Sequence, residues 1–497
     1  MSTELLTFYD TYKKKVSAYG YVMASIHFDQ ATIAPKAGLG FANEMQGVLE
    51  ADYFSYLVDP ENIKKIEALF GETTDEQLKK EIRLRLRDLH QISLIPKEVY
   101  LDFQKSVLES QQCWEKAKQT NDYPLFKPHL ISLLEKRKKM LTYLSYEGSD
   151  YDYLLDQFQM GMNAEKYDAF FAEIKDKLVP LIHKVRKAKR KIDTSPLEKT
   201  YCVEGQKKFT QVMKGALKID PEKCYIAESV HPFCMPYSAN DTRFTTKYLP
   251  ENVMSAALST AHEYGHALYN LQINPEFEMS TFASEVGFAM HESQSRLVEN
   301  HIGRSLSFWK AHYSKLQQIF PEQLSQVSLE EFVDMINVST SGLIRIEADE
   351  LTYPLHILIR YELEKEIFNG TVDYDKLDQL WADKYEEYLG VRPGTASEGI
   401  LQDVHWSAAY HGYFPSYALG SAFAAQIYQQ LEKEMNVAEI LENDQFDKIA
   451  AWLGEKVHQH GASKTYDEIL LDVTGERFNP SYYTDYLVKK YTELYQL

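Results

Sequence analysis

The stretch Ala261-His262-Glu263-Tyr264-Gly265-His266-Ala267-Leu268 carries an H-E-x-x-H pattern. Around it Met254, Leu258, Ala261, Gly265 and Leu268 recur at spacings of three and four, which predicts a helix. Pro250 sits just upstream, where such a helix can begin. On that helix His262 and His266 project from one face, one turn apart, so both imidazoles can reach a single metal ion. Glu263 lies beside them and can hold a water on that metal as a general base. Two histidines on a solvated helix face are the bland alternative, and the apolar periodicity around them argues against it.

Outward from this stretch the chain reads as mostly helical. Before residue 190 the apolar spacing predicts helices over Asp75–His90, Lys97–Thr120 and Pro128–Leu144. A longer one is predicted over Asn163–Ile192, with Pro180 as its kink point. The basic run Lys184–Lys191 at its end reads as a solvated helix terminus favoured by the helix dipole. Asp193–Leu197, with Pro196, is the predicted linker, and a helix over Gly205–Leu217 follows. Cys224–Tyr248 is rich in β-branched and aromatic residues broken by turn signals, which predicts two or three short strands walling a cleft. Past the HEYGH helix, helices are expected over Thr281–Ile302, Phe308–Phe320, Glu330–Val338, Ile344–Phe368 and Tyr374–Leu389, and again from about Ala418. Pro354 marks a kink or an edge in the fourth of these. The long loop Gly390–Pro415 holds His405, Trp406, Tyr410, His411 and Tyr413, and loops of this length are often functional.

With 54 basic and 73 acidic residues the formal charge is -19, which argues against nucleic acid or an anionic membrane as partner. No apolar run is long enough to span a membrane, and the N-terminus lacks a signal-peptide pattern. Cys113, Cys202, Cys224 and Cys234 form no C-x-x-C and no disulfide framework, so a cytoplasmic setting with reduced thiols is expected. A catalytic zinc takes three protein ligands and keeps one position open. Glu285 and Glu292 lie 19 and 26 residues after His266, seven apart and so on one helix face, and spacing alone leaves both open as third ligand.

Six motifs occur in order: His231-Pro232-Phe233, Asp241-Thr242-Arg243-Phe244-Thr245, HEYGH, His291-Glu292-Ser293-Gln294, Ile344-Arg345-Ile346-Glu347-Ala348-Asp349 and Gly399-Ile400-Leu401-Gln402-Asp403-Val404-His405-Trp406. Together they resemble the motif set of the carboxypeptidase Taq family. The resemblance implies a mostly α, neurolysin- and angiotensin-converting-enzyme-like fold, with a deep central groove and a small β-sheet beside the metal helix. One catalytic domain is expected over residues 1–497, with a catalytic part from about 196 and, because no catalytic cluster occurs before it, a helical lid or scaffold part to about 195. The resemblance further implies a homodimer and one divalent metal per chain, zinc before cobalt. Glu292, within HESQ, becomes the third ligand beside His262 and His266, and Glu285 a residue of the cleft.

Tyr410, Tyr413 and Tyr417 follow His405 at 5, 8 and 12 residues, similar to the His-and-Tyr segment of the neurolysin-like fold. Tyr417, then Tyr413, is expected to donate to an oxyanion, and His405 and His231 to contact substrate or transition state. Recognition of a free C-terminal carboxylate suits the planar fork of arginine. Arg345 is the first candidate and Arg243 the second; the resemblance brings both motifs to the site. Asp349, four residues on, is expected on the helix face of Arg345, orienting it or forming a plain helix salt bridge. The implied activity is release of single residues from peptide C-termini with broad preference. The alternatives are an endo-oligopeptidase or dipeptidase on the same fold, an aminopeptidase ligating through Glu285, and a helical scaffold with a structural metal. A structural zinc site closes with four protein ligands, and no cysteine lies near HEYGH.

Overall fold

Helix-forming periodicity runs through nearly the whole chain, and the structure, a computed structural model describing residues 3–497, is mostly helical with one three-stranded sheet. The first four long helices, Thr3–Thr32, Leu39–Leu57, Pro60–Glu72 and Glu76–Ser93, gather around their own apolar cluster of Tyr9, Tyr12, Ile66, Leu69, Ile82, Leu86 and Leu89. A much larger core extends from Ala117 to Tyr495 and contains everything that holds the site. Helix Lys97–Thr120 has the predicted bounds and stops at Asn121, whose left-handed φ of 56° ends it. Helix Ala164–Lys187 is capped by Asn163 and passes through Pro180 without ending there. It stops before Ile192, and the basic run is not simply solvated: Arg190, beyond the helix end, pairs with Asp334 and the Leu494 carbonyl.

Three short strands follow as expected, β1 (Cys224–Glu228), β2 (Cys234–Ser238) and β3 (Asp241–Thr246). Their order is β1-β3-β2, with β1 parallel and β2 antiparallel to β3. Strand alternation sends Phe244 and Thr246 toward the next helix. The Phe244 ring lies 6.3 Å from that of Tyr264, and Thr246 Oγ1 lies 2.8 Å from Ser259 Oγ. That helix, Val253–Gln272, carries the HEYGH stretch and starts at Asn252, whose side chain accepts from the Ser255 N–H. It packs against helix Phe288–Arg296, which in turn packs against helix Pro415–Glu434.

Two expected helices are shorter than their periodicity implies. Thr281–Ile302 divides into a single turn Thr281–Ala283, the α-helix Phe288–Arg296 and a π-helical stretch Leu297–Ile302. The break is at Gly287, with φ 129°, where a Cβ would stand 2.5 Å from Gln159 Oε1. That same oxygen accepts from the Ala289 N–H at 3.0 Å, so Gln159 occupies the helix start. Glu285 therefore lies before the break and does not share a helix face with Glu292. Likewise Ile344–Phe368 is helical only over Tyr353–Phe368, with Pro354 in its first turn. Asp349 accepts from the N–H groups of Leu351 and Thr352 at 3.0 and 3.1 Å, satisfying donors at that helix start. Arg345 sits in a separate turn, so the expected Arg345–Asp349 helix pair does not exist.

Among the described residues no helix is long and apolar enough to cross a membrane, and the four cysteines are free thiols.

Candidate active site

His262, His266 and Glu292 each present a ligand atom within 4.8 Å of the others. Glu292 Oε2 lies 3.6 Å from His262 Nε2 and 3.4 Å from His266 Nε2. Tetrahedral ligands on bonds of about 2.1 Å stand about 3.4 Å apart, so both carboxylate–imidazole separations match what a divalent cation needs. The approach depends on Gly265, between the two histidines. A Cβ there would stand 2.4 Å from the Gln294 carbonyl oxygen and 2.6 Å from Ser295 Cα, so only glycine lets the two backbones meet. Gly420 plays the same part on the other side, where a Cβ would be 2.7 Å from Glu292 Cβ.

The ligands are oriented by neighbours. His262 Nδ1 lies 2.9 Å from Glu299 Oε2, which fixes the proton on Nδ1 and leaves Nε2 for the metal. Glu299 comes from the π-helical stretch, a distortion frequent at functional sites. Arg296 donates to Glu292 Oε1 at 2.6 Å and to Glu299 Oε2 at 3.2 Å, and Arg304 to Glu299 Oε1 at 3.3 Å. His266 is set by packing, with the His291 ring 4.1 Å away. Burial works against the charged form of His262, yet Glu292 and Glu299 outweigh it and hold the imidazole above its ordinary range. Against burial, Arg296 and His262 hold Glu292 well below the carboxylate range. His266 goes the other way, lowered by burial with the His262 charge adding, although Glu292 opposes the fall. Burial also pushes Glu263 up to about 7, with the His262 charge opposing and Glu292 adding to the rise.

Beside the triad stands a second group of predicted residues. Tyr417 lies on helix Pro415–Glu434, three residues before the Gly420 contact with Glu292. Its hydroxyl is 3.3 Å from His405 Nε2, and the Tyr413 ring is 5.0 Å from its own. Burial pushes His405 down to about 3, with Arg345 adding to the shift, so the ring is neutral. Arg345 is buried, its guanidinium 5.1 Å from the Tyr417 ring. Its carboxylate partner is Asp403, at 2.9 Å, which also takes Arg360 at 2.6 Å. Tyr353 links the two groups: Arg345 Nη1 is 3.4 Å from its hydroxyl, and Arg296 lies 4.4 Å from its ring.

Two expected residues stand elsewhere. Arg243 projects from the face of β3 opposite Phe244, away from the metal helix. Its Nε and Nη2 are both taken by Asp241, at 3.0 and 2.7 Å, and the Tyr237 ring covers it at 4.2 Å. His231 is in the exposed loop before β2, its pKa lowered by burial and by Lys247 and Lys118.

The Gly390–Pro415 segment is irregular yet tightly held. Glu364 accepts from Trp406 Nε1 at 2.7 Å and the Gly412 N–H at 2.8 Å, and Trp114 Nε1 donates to the Leu401 carbonyl at 3.0 Å. Glu299, Arg296, Arg360 and Glu364 touch the candidate site residues or the loop that carries them, and the motif reading missed them. Only the spacing Glu292–Arg296–Glu299 hinted at any of them.

Fold and site together point to a helical metallopeptidase, with two imidazoles and a glutamate placed so that they could hold one cation. The sequence matches carboxypeptidase Taq (M32) metallopeptidase over residues 8–491, and the chain belongs to that family. It is 39% identical to carboxypeptidase 1 of Bacillus subtilis over 97% of both chains. It is 33% identical to thermostable carboxypeptidase 1 of Thermus thermophilus over 94% of both. The crystal structure of an M32 carboxypeptidase from Deinococcus radiodurans superposes with a TM-score of 0.95 at 30% identity, covering 99% of this chain and 100% of that one. The chain is a metal-dependent carboxypeptidase acting on peptides.

Proposed function

We propose that this enzyme releases single residues from peptide C-termini, with broad side-chain preference, using one zinc ion held by His262, His266 and Glu292. The observation that carries the reading is the ligand spacing of 3.4 and 3.6 Å, with Glu263 buried beside it on the same helix. A zinc ion held by these three residues would supply Lewis acidity, polarising the scissile carbonyl and making water reactive at neutral pH. Glu263 accepts the proton of the attacking water and returns it to the leaving amine. Tyr417, supported by Tyr413, donates to the developing oxyanion, and neutral His405 keeps the Tyr417 hydroxyl aimed through their 3.3 Å contact. His231 contacts substrate from the opposite wall. Arg345 recognises the terminal carboxylate, fixed by Asp403 so that it needs no reorganisation on binding. Arg243, on the face of β3 away from the metal helix and covered by the Tyr237 ring, is left a structural role. The N-terminal helices with their separate apolar cluster act as a lid over the groove, and the enzyme works as a cytoplasmic homodimer.

The test is a pair of short peptides incubated with zinc-loaded protein and followed by mass spectrometry. One is blocked at the N-terminus with a free carboxylate; the other has a free N-terminus and a C-terminal amide. Loss of one residue from the first alone, abolished by chelator, is expected. Internal cleavage of both would make the enzyme an oligopeptidase.

A further inference from the structure

Lys118 is a cation without an anion. It lies in the last turn of helix Lys97–Thr120, half-buried, and donates to the Gln402 carbonyl at 2.8 Å. Its ammonium stands over the Trp114 ring at 4.9 Å, and Ser397 Oγ donates to its own carbonyl at 2.7 Å, so its position is tightly set. Gln402 immediately precedes Asp403, the carboxylate shared by Arg345 and Arg360. Among the described residues no other carboxylate is within ion-pair distance of Arg345 or Arg360, and Lys118 has no ion pair. Three cations therefore gather around one carboxylate, leaving a local excess of two positive charges at the substrate-binding arginine. Burial lowers the Lys118 pKa, with Asp403 opposing and Arg345 adding to the fall, and the same ammonium adds to the lowering of His231.

A purely structural role, fastening the loop to the helix, does not explain a charge here. Trp114, one turn earlier, already fastens the neighbouring Leu401 carbonyl with a neutral donor. The ammonium directs one of its three protons to that carbonyl and has two left for a ligand on its open side.

Resting on the carboxypeptidase reading above, we propose that Lys118 is the second anchor of the peptide's terminal carboxylate. It donates to one carboxylate oxygen while Arg345 takes the other. The monoanion offsets part of the charge excess, and a C-terminal amide, lacking that charge, does not. Lys118 thus acts as a specificity-determining residue supplied by the N-terminal part of the chain, so that recognition of a free C-terminus spans both walls of the groove.

The test compares zinc-loaded wild type, Lys118→Gln and Lys118→Arg on the blocked free-carboxylate peptide and its amide, with 3-phenylpropanoate as a competing monocarboxylate. Glutamine can still donate to the Gln402 carbonyl but carries no charge. KM for the free-carboxylate peptide and KI for 3-phenylpropanoate should both rise about tenfold in Lys118→Gln, the loss of one charged hydrogen bond. With kcat within about twofold of wild type and Lys118→Arg recovering most of both constants, this is the signature of a carboxylate anchor. Unchanged KM and KI in a Lys118→Gln protein of wild-type Tm would overturn the proposal. So would equal damage in Lys118→Arg and Lys118→Gln with KI unmoved, which marks a structural lysine. Wild type that cleaves the amide as fast as the acid would instead overturn the exopeptidase reading itself, and this proposal with it.

Discussion

Gly265→Ala is the sharpest probe of how the metal site is built. The added methyl would stand 2.4 Å from the Gln294 carbonyl oxygen and 2.6 Å from Ser295 Cα. Both are backbone atoms of the helix that carries Glu292, so no side-chain rotation makes room. Restoring an ordinary carbon–carbon contact of about 3.5 Å at Ser295 separates the two helices there by roughly 0.9 Å. Ligand positions tolerate about 0.2 Å, so the displacement exceeds the tolerance several times over. Stability and metal binding respond differently. Overpacking costs about 1–3 kcal/mol, and alanine returns up to about 1 kcal/mol of helix propensity, so the protein still folds. Zinc affinity, in contrast, should fall at least about tenfold, a loss comparable to that of an orienting group. The assay is zinc content by plasma mass spectrometry after equilibration against graded chelator, with Tm recorded on the same samples. A Gly265→Ala protein that retains wild-type zinc affinity would refute the close-approach argument, whatever its Tm.

Three further perturbations follow from the same geometry. Glu299→Gln keeps an acceptor for the His262 Nδ1 proton but removes its charge; zinc affinity should drop about 10–100-fold with the fold intact, read by chelator competition. Asp403→Asn leaves the buried Arg345 and Arg360 without their carboxylate, and chemical denaturation should show a loss of about 3–5 kcal/mol. Against burial those arginines hold the folded-state pKa of Asp403 well below the usual range, so its contribution is complete above about pH 4 and drains away on acidification; the Asp403→Asn deficit should shrink accordingly below that pH. His411 is fully buried with neither ring nitrogen paired, and burial, with Arg137 adding, pushes it down to about 3. Between there and its unfolded value of about 6.5 the unfolded chain binds more protons, so stability falls as pH drops through that window, by at most about 2 kcal/mol at pH 5. His411→Phe, which keeps the ring beside Phe368, should flatten Tm against pH between 5 and 7; an unaltered slope would count against the assignment.

Much of the fold was legible in the residues themselves. The period-3.6 spacing marked the helices from Lys97–Thr120 to Tyr374–Leu389, the β-branched run marked the three strands, and HEYGH placed two imidazoles on one helix face. Such signals are local: they depend on residues within a turn or two of one another, and burial of a stripe or a pleated face follows from them. What periodicity could not convey was where a helix must stop because something distant intrudes. Gly287 ends one predicted helix because Gln159, 128 positions earlier, fills the space beside it. That break separates Glu285 from Glu292, a choice that spacing left open and only the motif resemblance had made.

The pairings of charge were equally hidden. Arg345 and Asp349, four apart, looked like partners, but Asp349 turns to the donors of a helix start and Arg345 to Asp403, 58 positions away. Arg345 ranked only slightly ahead of Arg243 as carboxylate ligand from the sequence, and the fold separates them by turning Arg243 away from the metal helix. By itself the sequence determined the elements and the chemistry they carry, because both are written in neighbouring residues. Tertiary structure alone decided which carboxylate meets which cation, because a buried charge takes the partner that packing of remote segments delivers within about 3 Å, whatever lies next to it along the chain.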